Sequence, residues 1–214
     1  MVSFLEALCD NKTTTFNYNE FNDVLEFVPT QKQQISSQII IQDTNIIKTI
    51  KNSCENKKNK PIIISLSGGV DSMVLITILH TLKYNIIAVH INYNNRQETI
   101  NEEKFILEWC KFNDIKLYVK SINEIKRETT KRSDYELITK NMRLDFYKEI
   151  MAKENAEYVM LAHHKDDIIE NIFANVCRGR NILDLAVLKE HAVIGGINIF
   201  RPMLEYYKNT IYDF

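Results

Sequence analysis

The sequence predicts an α/β fold built on a doubly wound parallel sheet, preceded by an N-terminal extension. From Pro61 onward, short apolar runs rich in β-branched residues alternate with segments of helical periodicity. The apolar runs are continuous, which is typical of parallel strands buried on both faces. The chain has 214 residues, 45% of them apolar, and is long enough to bury a substantial core. Strands and helices that alternate at such short intervals favour a doubly wound sheet.

The predicted elements follow one another along the second part of the chain. Strands are expected at 61–66, 85–92, 115–122, 157–164 and 192–204, the last of them as a strand or a hairpin. Helices are expected between them, at 71–83, 98–114, 133–156 and 165–178. In open α/β sheets, ligands bind outside the carboxyl ends of the strands. The loops that begin at residues 66, 91 and 163 are therefore expected to converge on one site.

The first 59 residues differ in composition and are interpreted as an extension of the domain at 60–214. They are rich in Asn, Thr, Gln and Lys, which predicts a segment that is partly helical or flexible. One short amphipathic helix is expected around four apolar residues, Phe21, Val24, Leu25 and Phe27. A second helix is expected at 38–53, followed by a solvated linker at 54–60.

Composition excludes several classes of protein. The formal net charge is −1, so any contact with nucleic acid must come from a local basic patch. The four cysteines are scattered and form no CxxC pair, which argues against a zinc ribbon and fits a reducing compartment. No secretory signal and no apolar run of about 18–20 residues is present. The sequence therefore predicts a soluble cytoplasmic protein with no membrane contact.

The stretch "SLSGGVDSM" (65–73) lies between a predicted strand and a predicted helix. Backbone N–H groups at a helix N-terminus attract anions, and two glycines let the backbone approach a phosphate closely. The stretch has neither the lysine of a Walker A loop nor the G-x-G-x-x-G spacing of a dinucleotide fold. A tight turn without a ligand is the alternative interpretation.

The residues S-G-G-x-D-S at 67–72 resemble the PP-loop of the N-type ATP pyrophosphatases. The resemblance implies an adenine nucleotide alpha hydrolase-like fold that binds ATP with Mg²⁺ and releases pyrophosphate on adenylating a substrate. Six residues would bind the nucleotide through this loop: Ser67, Gly68, Gly69, Val70, Asp71 and Ser72.

Five further segments resemble motifs of the tRNA(Ile)-lysidine synthetase family. They are "AVHINYNNR" (88–96), "YELITKNMRLDFY" (135–147), "LAHHKDDIIEN" (161–171), "CRGRN" (177–181) and "FRPML" (200–204). The first departs from the family form H-x-N-H-G-L-R at Tyr93, Asn94 and Asn95, and Lys140 replaces an arginine in the second. The resemblance implies that a tRNA(Ile) with a CAU anticodon and free lysine are the substrates, and it leaves a homodimer open.

The resemblance also implies roles for individual residues. Six are implied to be catalytic: Asp71, His164, Asp166, Asp167, Glu170 and Arg143. His90 is expected near the adenosine, Asp71 and Asp167 at the metal, and Arg178, Arg180 and Arg201 on RNA. From the residues alone, Asp166 and Glu170 share a helix face and could bind Mg²⁺ or transfer protons. The alternatives are an acidic helix cap, histidines buried in the core and solvated surface charges.

Three other functions are compatible with the sequence. A tRNA 2-thiolation enzyme of the same superfamily would depend on cysteine chemistry, for which only Cys177 lies near a motif. A small-molecule amidotransferase or ligase is less compatible with "CRGRN" and "RPML". A nucleotide- or RNA-binding module that has lost catalysis is the third, because of the departures at Tyr93, Asn94, Asn95 and Lys140.

Overall fold

The computed structural model describes residues 16–19, 24–27, 45–57, 60–95, 98–181 and 188–214. Within them, a single eight-stranded sheet is covered by helices on both faces, so the predicted doubly wound α/β fold is confirmed. None of the described helices is long and apolar enough to cross a membrane.

The sheet is parallel at its centre and antiparallel at both edges. The strands are β1 (Phe16–Asn19), β2 (Val24–Phe27), β3 (Ile62–Ser65), β4 (Ile86–Asn92), β5 (Lys116–Ser121), β6 (Tyr158–Met160), β7 (His191–Ile194) and β8 (Ile197–Phe200). Their order is β1-β2-β5-β4-β3-β6-β8-β7. β5, β4, β3, β6 and β8 are mutually parallel. The chain order therefore reverses at β3, which lies between β4 and β6.

Six helices are described. They are α1 (Asn45–Cys54), α2 (Val70–Thr81), α3 (Glu98–Phe112), α4 (Arg132–Glu154), α5 (Lys165–Cys177) and α6 (Lys208–Tyr212). A 3-10 turn at Glu55–Lys57 follows α1. The bounds of α2 to α5 agree with the sequence prediction to within two residues at each end. Helix α6 was not predicted.

The two faces of the sheet are separated by the alternation of side chains along each strand. Ile62 and Ile64 point to the face packed by α1, α2, α3 and α6. Ile63 points to the opposite face, where Phe146 and Tyr147 of α4 pack on it. Because every residue of this run is buried, the strand needs apolar residues at each position, and the sequence "III" supplies them.

The N-terminal segment differs from the prediction at one point. Val24–Phe27 was expected in a helix, but it is a strand paired antiparallel with β5, with Leu25 opposite Val119. A run this short has no diagnostic periodicity, and the free edge of β5 offers backbone partners to a segment rich in β-branched and aromatic residues. Phe21 lies outside the described residues.

Helix α1 agrees with the prediction where it is described. Ile46, Ile47 and Ile50 face the main core, and Cys54 at its end is also buried. Residues 38–44 of the predicted helix lie outside the described residues. The boundary between the extension and the domain at residue 59 stays a prediction.

The segment at 192–204, predicted as a strand or a hairpin, contains the turn and second strand of a hairpin. β7 and β8 pair antiparallel across Gly195 and Gly196, whose φ angles are 57° and 81°. Two successive positive φ angles are the geometry of the tight hairpin turns that favour glycine.

Candidate functional site

The loop from Leu66 to Gly69 joins the carboxyl end of β3 to the N-terminus of α2. Gly68 has φ +85°, a conformation that L side chains rarely adopt, and a Cβ there would lie 3.2 Å from Ile106 Cδ1. The Ser72 hydroxyl donates to Gly69 O at 2.9 Å, and Ser67 N–H donates to Ser72 Oγ at 3.2 Å. The loop is therefore held in shape by its own contacts, and it leads into the N-terminus of α2, where the first N–H groups of a helix have no intrahelical partner and can bind a phosphate.

His90 holds the start of this loop from the neighbouring strand. Its Nδ1 lies 2.8 Å from Leu66 O, and because a carbonyl only accepts, Nδ1 carries the proton. The side chain is buried, and burial lowers its pKa, so the ring is neutral at physiological pH. This contact gives His90 a structural role at the loop, and a contact with adenosine stays a prediction.

A histidine surrounded by three carboxylates lies across the crevice, at the start of α5. His164 Nε2 lies 3.7 Å from Asp71 Oδ2, and its Nδ1 lies 3.6 Å from Asp166 Oδ2 and 3.7 Å from Asp167 Oδ2. Asp167 Oδ2 also accepts the His164 backbone N–H at 2.8 Å. The PP-loop and the "HHKDD" segment were predicted to converge, and they meet here. His164 lies between Asp71 of α2 and two carboxylates of α5, Asp166 and Asp167.

Two polar atoms of this cluster are buried without a hydrogen-bond partner, Asp71 Oδ1 and His164 Nδ1. Buried polar atoms are nearly always paired, so a group outside the chain is expected to satisfy them. Within the described ranges, no set of three or more His, Cys, Asp or Glu residues could hold a metal ion by itself. Mg²⁺ normally binds one or two carboxylates together with phosphate oxygens and water, so Asp71 beside a phosphate loop fits this ion.

A lysine that was not predicted lies beside the same carboxylates. The backbone N–H of Lys208, the first residue of α6, donates to Asp166 Oδ2 at 2.7 Å. The pKa of the Lys208 ammonium is raised, first by Tyr212 and then by Asp71 and Asp167. The only sequence signal was a basic residue shortly after "RPML", in a chain whose phosphate loop lacks its own lysine.

Arg201, predicted to contact RNA, is 3% exposed and makes two side-chain hydrogen bonds within the protein. Its Nε–H donates to His163 Nδ1 at 3.0 Å, and its Nη1 donates to Lys189 O at 2.7 Å. We therefore expect Arg201 to position His163 rather than to contact RNA. Arg143 of α4 is exposed and lies close enough to His163 to contribute to the lowering of that pKa, after burial and Arg201.

The remaining predicted residues lie outside this cluster, and two of them follow the opposite end of α5. Glu170 is exposed one turn after Asp166 on α5, as their spacing predicted. Val70 is 45% exposed at the start of α2. Arg178 and Arg180 are exposed just after α5, where they are free to face a ligand but have no defined target. Their predicted RNA contacts stay predictions.

One of the departures from the family motif is conformationally conservative. Asn94, in the place of the motif's glycine, has φ +48°. Asparagine is one of the few residues besides glycine that adopt this left-handed conformation readily, so replacing glycine by asparagine is compatible with this backbone. The side chain that Asn94 adds is new. Arg96, the last residue of this motif, lies outside the described residues.

Comparisons with known proteins agree with this geometry. Residues 42–214 match a family described as "PP-loop domain". The tRNA(Ile)-lysidine synthase of Streptococcus pyogenes serotype M3 is 32% identical over 170 residues, which is 78% of this chain and 38% of that protein. The serotype M6 protein of the same name matches equally well. The chain thus spans about two fifths of the length of these relatives.

Solved structures share the fold at lower sequence identity. The U34-tRNA thiolase NcsA of Methanococcus maripaludis, described with its [4Fe-4S] cluster, has a TM-score of 0.61 and 16% identity, covering 78% of this chain and 61% of that one. The NH3-dependent NAD synthetase of Campylobacter jejuni has a TM-score of 0.51 and 17% identity, covering 78% and 68%. At these identities the likeness concerns the fold alone.

Proposed function

Because the chain belongs to the PP-loop domain family, we propose that it is an ATP-dependent ligase that joins lysine to the wobble cytidine of a tRNA(Ile). The observation that supports this most is the unpaired Asp71 carboxylate oxygen, placed between the phosphate loop and the His164 cluster. The proposed substrate class is that of the lysidine synthases to which the chain is similar, and the proposed reaction steps are argued from the residues of the site.

In the first step, the cytidine carbonyl oxygen attacks the α-phosphate of ATP. A phosphorus–oxygen bond to the base forms, the bond between the α- and β-phosphates breaks, and pyrophosphate leaves. The loop N–H groups and the N-terminus of α2 stabilise the charge that develops on the phosphate oxygens. Adenylation turns the carbonyl oxygen of the base into a good leaving group.

In the second step, the lysine ε-amine attacks the activated carbon of the base. A carbon–nitrogen bond forms, the carbon–oxygen bond breaks, AMP leaves, and the amine gives up a proton. An amine attacks only when it is neutral, so an acceptor must lie near it. Asp166, Asp167 and Glu170 are the candidates, and the first two are already oriented by backbone N–H donors.

The charges in the site must be balanced for ATP to bind. Asp71, Asp166 and Asp167 are acidic, and the triphosphate adds further negative charge. Mg²⁺ held by Asp71, and in the family pattern by Asp167, would neutralise part of this charge and withdraw electrons from the leaving pyrophosphate. Lys208 contributes a second positive charge from the protein itself.

Sulfur transfer is the second candidate, since a tRNA thiolase shares the fold. It would require a reactive thiolate or a metal cluster. Cys54 and Cys110 are buried, which raises the pKa of each thiol to about 12, so neither is a thiolate at neutral pH. Among the described cysteines, only Cys177 is exposed, and Cys9 lies outside the described residues. The described thiols thus favour the lysine reaction.

The test is a single incubation with ATP, Mg²⁺, labelled lysine and tRNA(Ile) carrying a CAU anticodon. We expect ATP-dependent label in the tRNA, with AMP and pyrophosphate released. Asp71→Ala should abolish all three products and leave the fold intact, because Asp71 Oδ1 makes no hydrogen bond that the substitution would break. AMP and pyrophosphate released without label in the tRNA would indicate another nucleophile; incorporation of labelled sulfur from an added sulfur donor, lost in Cys177→Ser, would then support sulfur transfer. Full activity in a folded Asp71→Ala variant would refute the proposed role of Asp71.

A further inference from the structure

A polar cavity of about 490 Å³ opens at the carboxyl ends of β4 and β5, outside the His164 cluster. Its walls include Tyr93, Asn94 and Asn95, which follow β4. These are the three residues that depart from the family motif H-x-N-H-G-L-R. The groups that line the cavity in this chain therefore differ from those that the motif would supply. The opposite wall comes from residues 122–128, which follow β5.

Hydrogen bonds fix two of the asparagines that line the cavity, Asn94 and Asn95. Asn94 N–H donates to Asn92 Oδ1 at 2.9 Å, which fixes the turn after β4. The Asn94 side-chain amide donates to Asn123 Oδ1 across the cavity. Asn95 exchanges two hydrogen bonds with the Tyr135 hydroxyl of α4, at 2.7 and 3.0 Å. Small-molecule sites are usually preformed in this way.

The lining groups suit a nucleobase. Tyr93 is partly exposed and supplies a flat ring on which a base can stack. The bond between Asn94 and Asn123 uses one donor of Asn94 and the oxygen of Asn123, so Asn94 Oδ1 remains as an acceptor and Asn123 Nδ2 as a donor. Adjacent donors and acceptors are what the hydrogen-bonding edge of a base presents.

Positive charge surrounds the same cavity. Lys126 and Arg127 line it and are exposed, accompanied by one carboxylate, Glu128. Beyond the rim, the pKa of Glu136 is lowered, first by Arg132 and then also by Arg178 and Arg127, which places these arginines in one neighbourhood. In a chain with a net charge of −1, such a local basic surface is where a phosphate backbone would lie.

We propose that this cavity binds an unstacked base of the RNA substrate, with Lys126 and Arg127 on its flanking phosphates. The inference rests on the proposed function, because it assumes an RNA substrate. β5 lies two strands from β3, so the cavity is about 10 Å from the phosphate loop along the sheet edge. The bound base is therefore a near neighbour of the one that reacts, and it contributes to the choice of RNA.

The test measures RNA binding without catalysis, by fluorescence anisotropy of a labelled CAU anticodon stem-loop in the absence of ATP. Tyr93→Ala should weaken binding about tenfold, whereas Tyr93→Phe, which keeps the ring, should bind like the parent protein. Arg127→Gln should weaken binding and reduce the salt dependence of log K by about 0.7, the value for one single-strand phosphate contact. Lys51→Gln is the control, since Lys51 is an exposed residue of α1 beside Tyr84, which precedes β4, whereas Tyr93 follows the other end of that strand.

The outcomes separate this proposal from the function on which it rests. If the parent protein binds the stem-loop and the Tyr93→Ala and Arg127→Gln variants bind it equally well, the cavity does not hold RNA. If these variants bind the stem-loop like the parent protein but raise the KM for lysine in the labelling assay, the cavity binds the amino acid and the proposal is overturned. If the parent protein binds ATP but no RNA, the proposed function fails first, and the cavity proposal fails with it.

Discussion

At the scale of single residues, Lys208 contacts the site in two ways, through its backbone and through its side chain. Lys208 fixes Asp166 through its backbone N–H, which any residue except proline would provide. Its ammonium is solvent-exposed beside Asp71 and Asp167 and hydrogen bonds to Tyr212. The side chain can therefore be changed without disturbing the carboxylate that the backbone holds, so ATP binding can be tested separately from folding.

Lys208→Gln is expected to weaken ATP binding about ten- to hundredfold, because a charge-assisted contact to phosphate contributes roughly 1.5–3 kcal/mol. Lys208→Arg should restore most of the affinity, since it keeps the charge. Equilibrium dialysis with labelled ATP and Mg²⁺ measures the effect, with Lys51→Gln as the control for loss of a surface lysine. Equal affinities for the parent protein and Lys208→Gln would show that the ammonium does not touch the nucleotide.

His163 makes stability depend on pH with a defined sign. Its Nδ1 accepts a hydrogen bond from Arg201, so the ring is neutral in the folded protein, and burial followed by Arg201 lowers its pKa. The unfolded chain, with a pKa of about 6.5, takes up a proton first as the pH falls. Stability from this residue is therefore complete above about pH 6.5 and declines as the pH falls towards the folded-state pKa. His90, whose pKa is also lowered by burial, adds a decline of the same sign.

His163→Asn should flatten this dependence, because its amide oxygen can accept from Arg201 and does not titrate. Urea unfolding midpoints between about pH 5.5 and 7.5 measure the slope, in a window above the titration of ordinary carboxylates. The parent midpoint should fall towards acid, and the variant midpoint should fall less. An identical slope in both proteins would exclude His163 as a contributor.

At the scale of elements, the loop between β3 and α2 contains two glycines with different physical roles. Gly68 has φ +85° and packs against Ile106 of α3, so glycine is needed there for the fold itself. Gly69 has φ −73°, and a Cβ there would meet only Ser67 Oγ, at 3.5 Å. A glycine that the backbone does not require points to close approach of a ligand.

Gly68→Ala is expected to destabilise the protein by roughly 1–2 kcal/mol, through the left-handed conformation and the contact with Ile106. Gly69→Ala should change stability by less than about 0.5 kcal/mol but weaken ATP binding, since the added methyl group stands where phosphate approaches. Urea unfolding and ATP binding, both measured on both variants, give the comparison. A Gly69→Ala variant that binds ATP normally would contradict the predicted position of the phosphate.

The strands that the sequence predicted best are those buried on both faces. Runs such as "III" in β3 and "IIAV" at the start of β4 have no polar residues on either face, so their burial could be read directly. Val24–Phe27 was wrongly predicted as a helix because the strand it forms depends on pairing with β5, which lies far along the chain. The short helix α6 has too few residues to show a period.

The site was predictable in its loops but not in its contacts. Motif order placed Asp71 and His164 at one sheet edge, where they are found. The burial of Arg201 and the approach of Lys208 to Asp166 depend on how segments about 40 residues apart pack, which no local pattern records. A charged residue in a motif therefore indicates where a site lies more reliably than it indicates that this residue itself contacts the ligand.

At the scale of the whole molecule, the strand order determines where ligand binding couples to stability. The reversal at β3 opens a crevice between the loops after β3 and β6, and both loops lead directly into helices that cover the sheet. A ligand bound in this crevice contacts α2 through the PP-loop and α5 through the His164 cluster. Its binding energy should therefore stabilise the fold as a unit.

ATP with Mg²⁺, at about 100 times its Kd, should stabilise the folded chain by about 2.7 kcal/mol. For a chain of this size, that is a rise in Tm of roughly 5–10 °C, measurable by differential scanning calorimetry.

Removing Mg²⁺ with a chelator should reduce the rise, because Asp71 would then face the triphosphate without a bridging cation. In Asp71→Ala the rise should be smaller than in the parent protein and insensitive to the chelator, while the Tm without ligand is unchanged. Measuring the Tm with and without ATP separates two causes of an inactive variant. Loss of the fold lowers the Tm without ligand, whereas loss of the site removes only the ATP-dependent rise. A rise that is equal in Asp71→Ala and unaffected by the chelator would mean that ATP binds without this carboxylate.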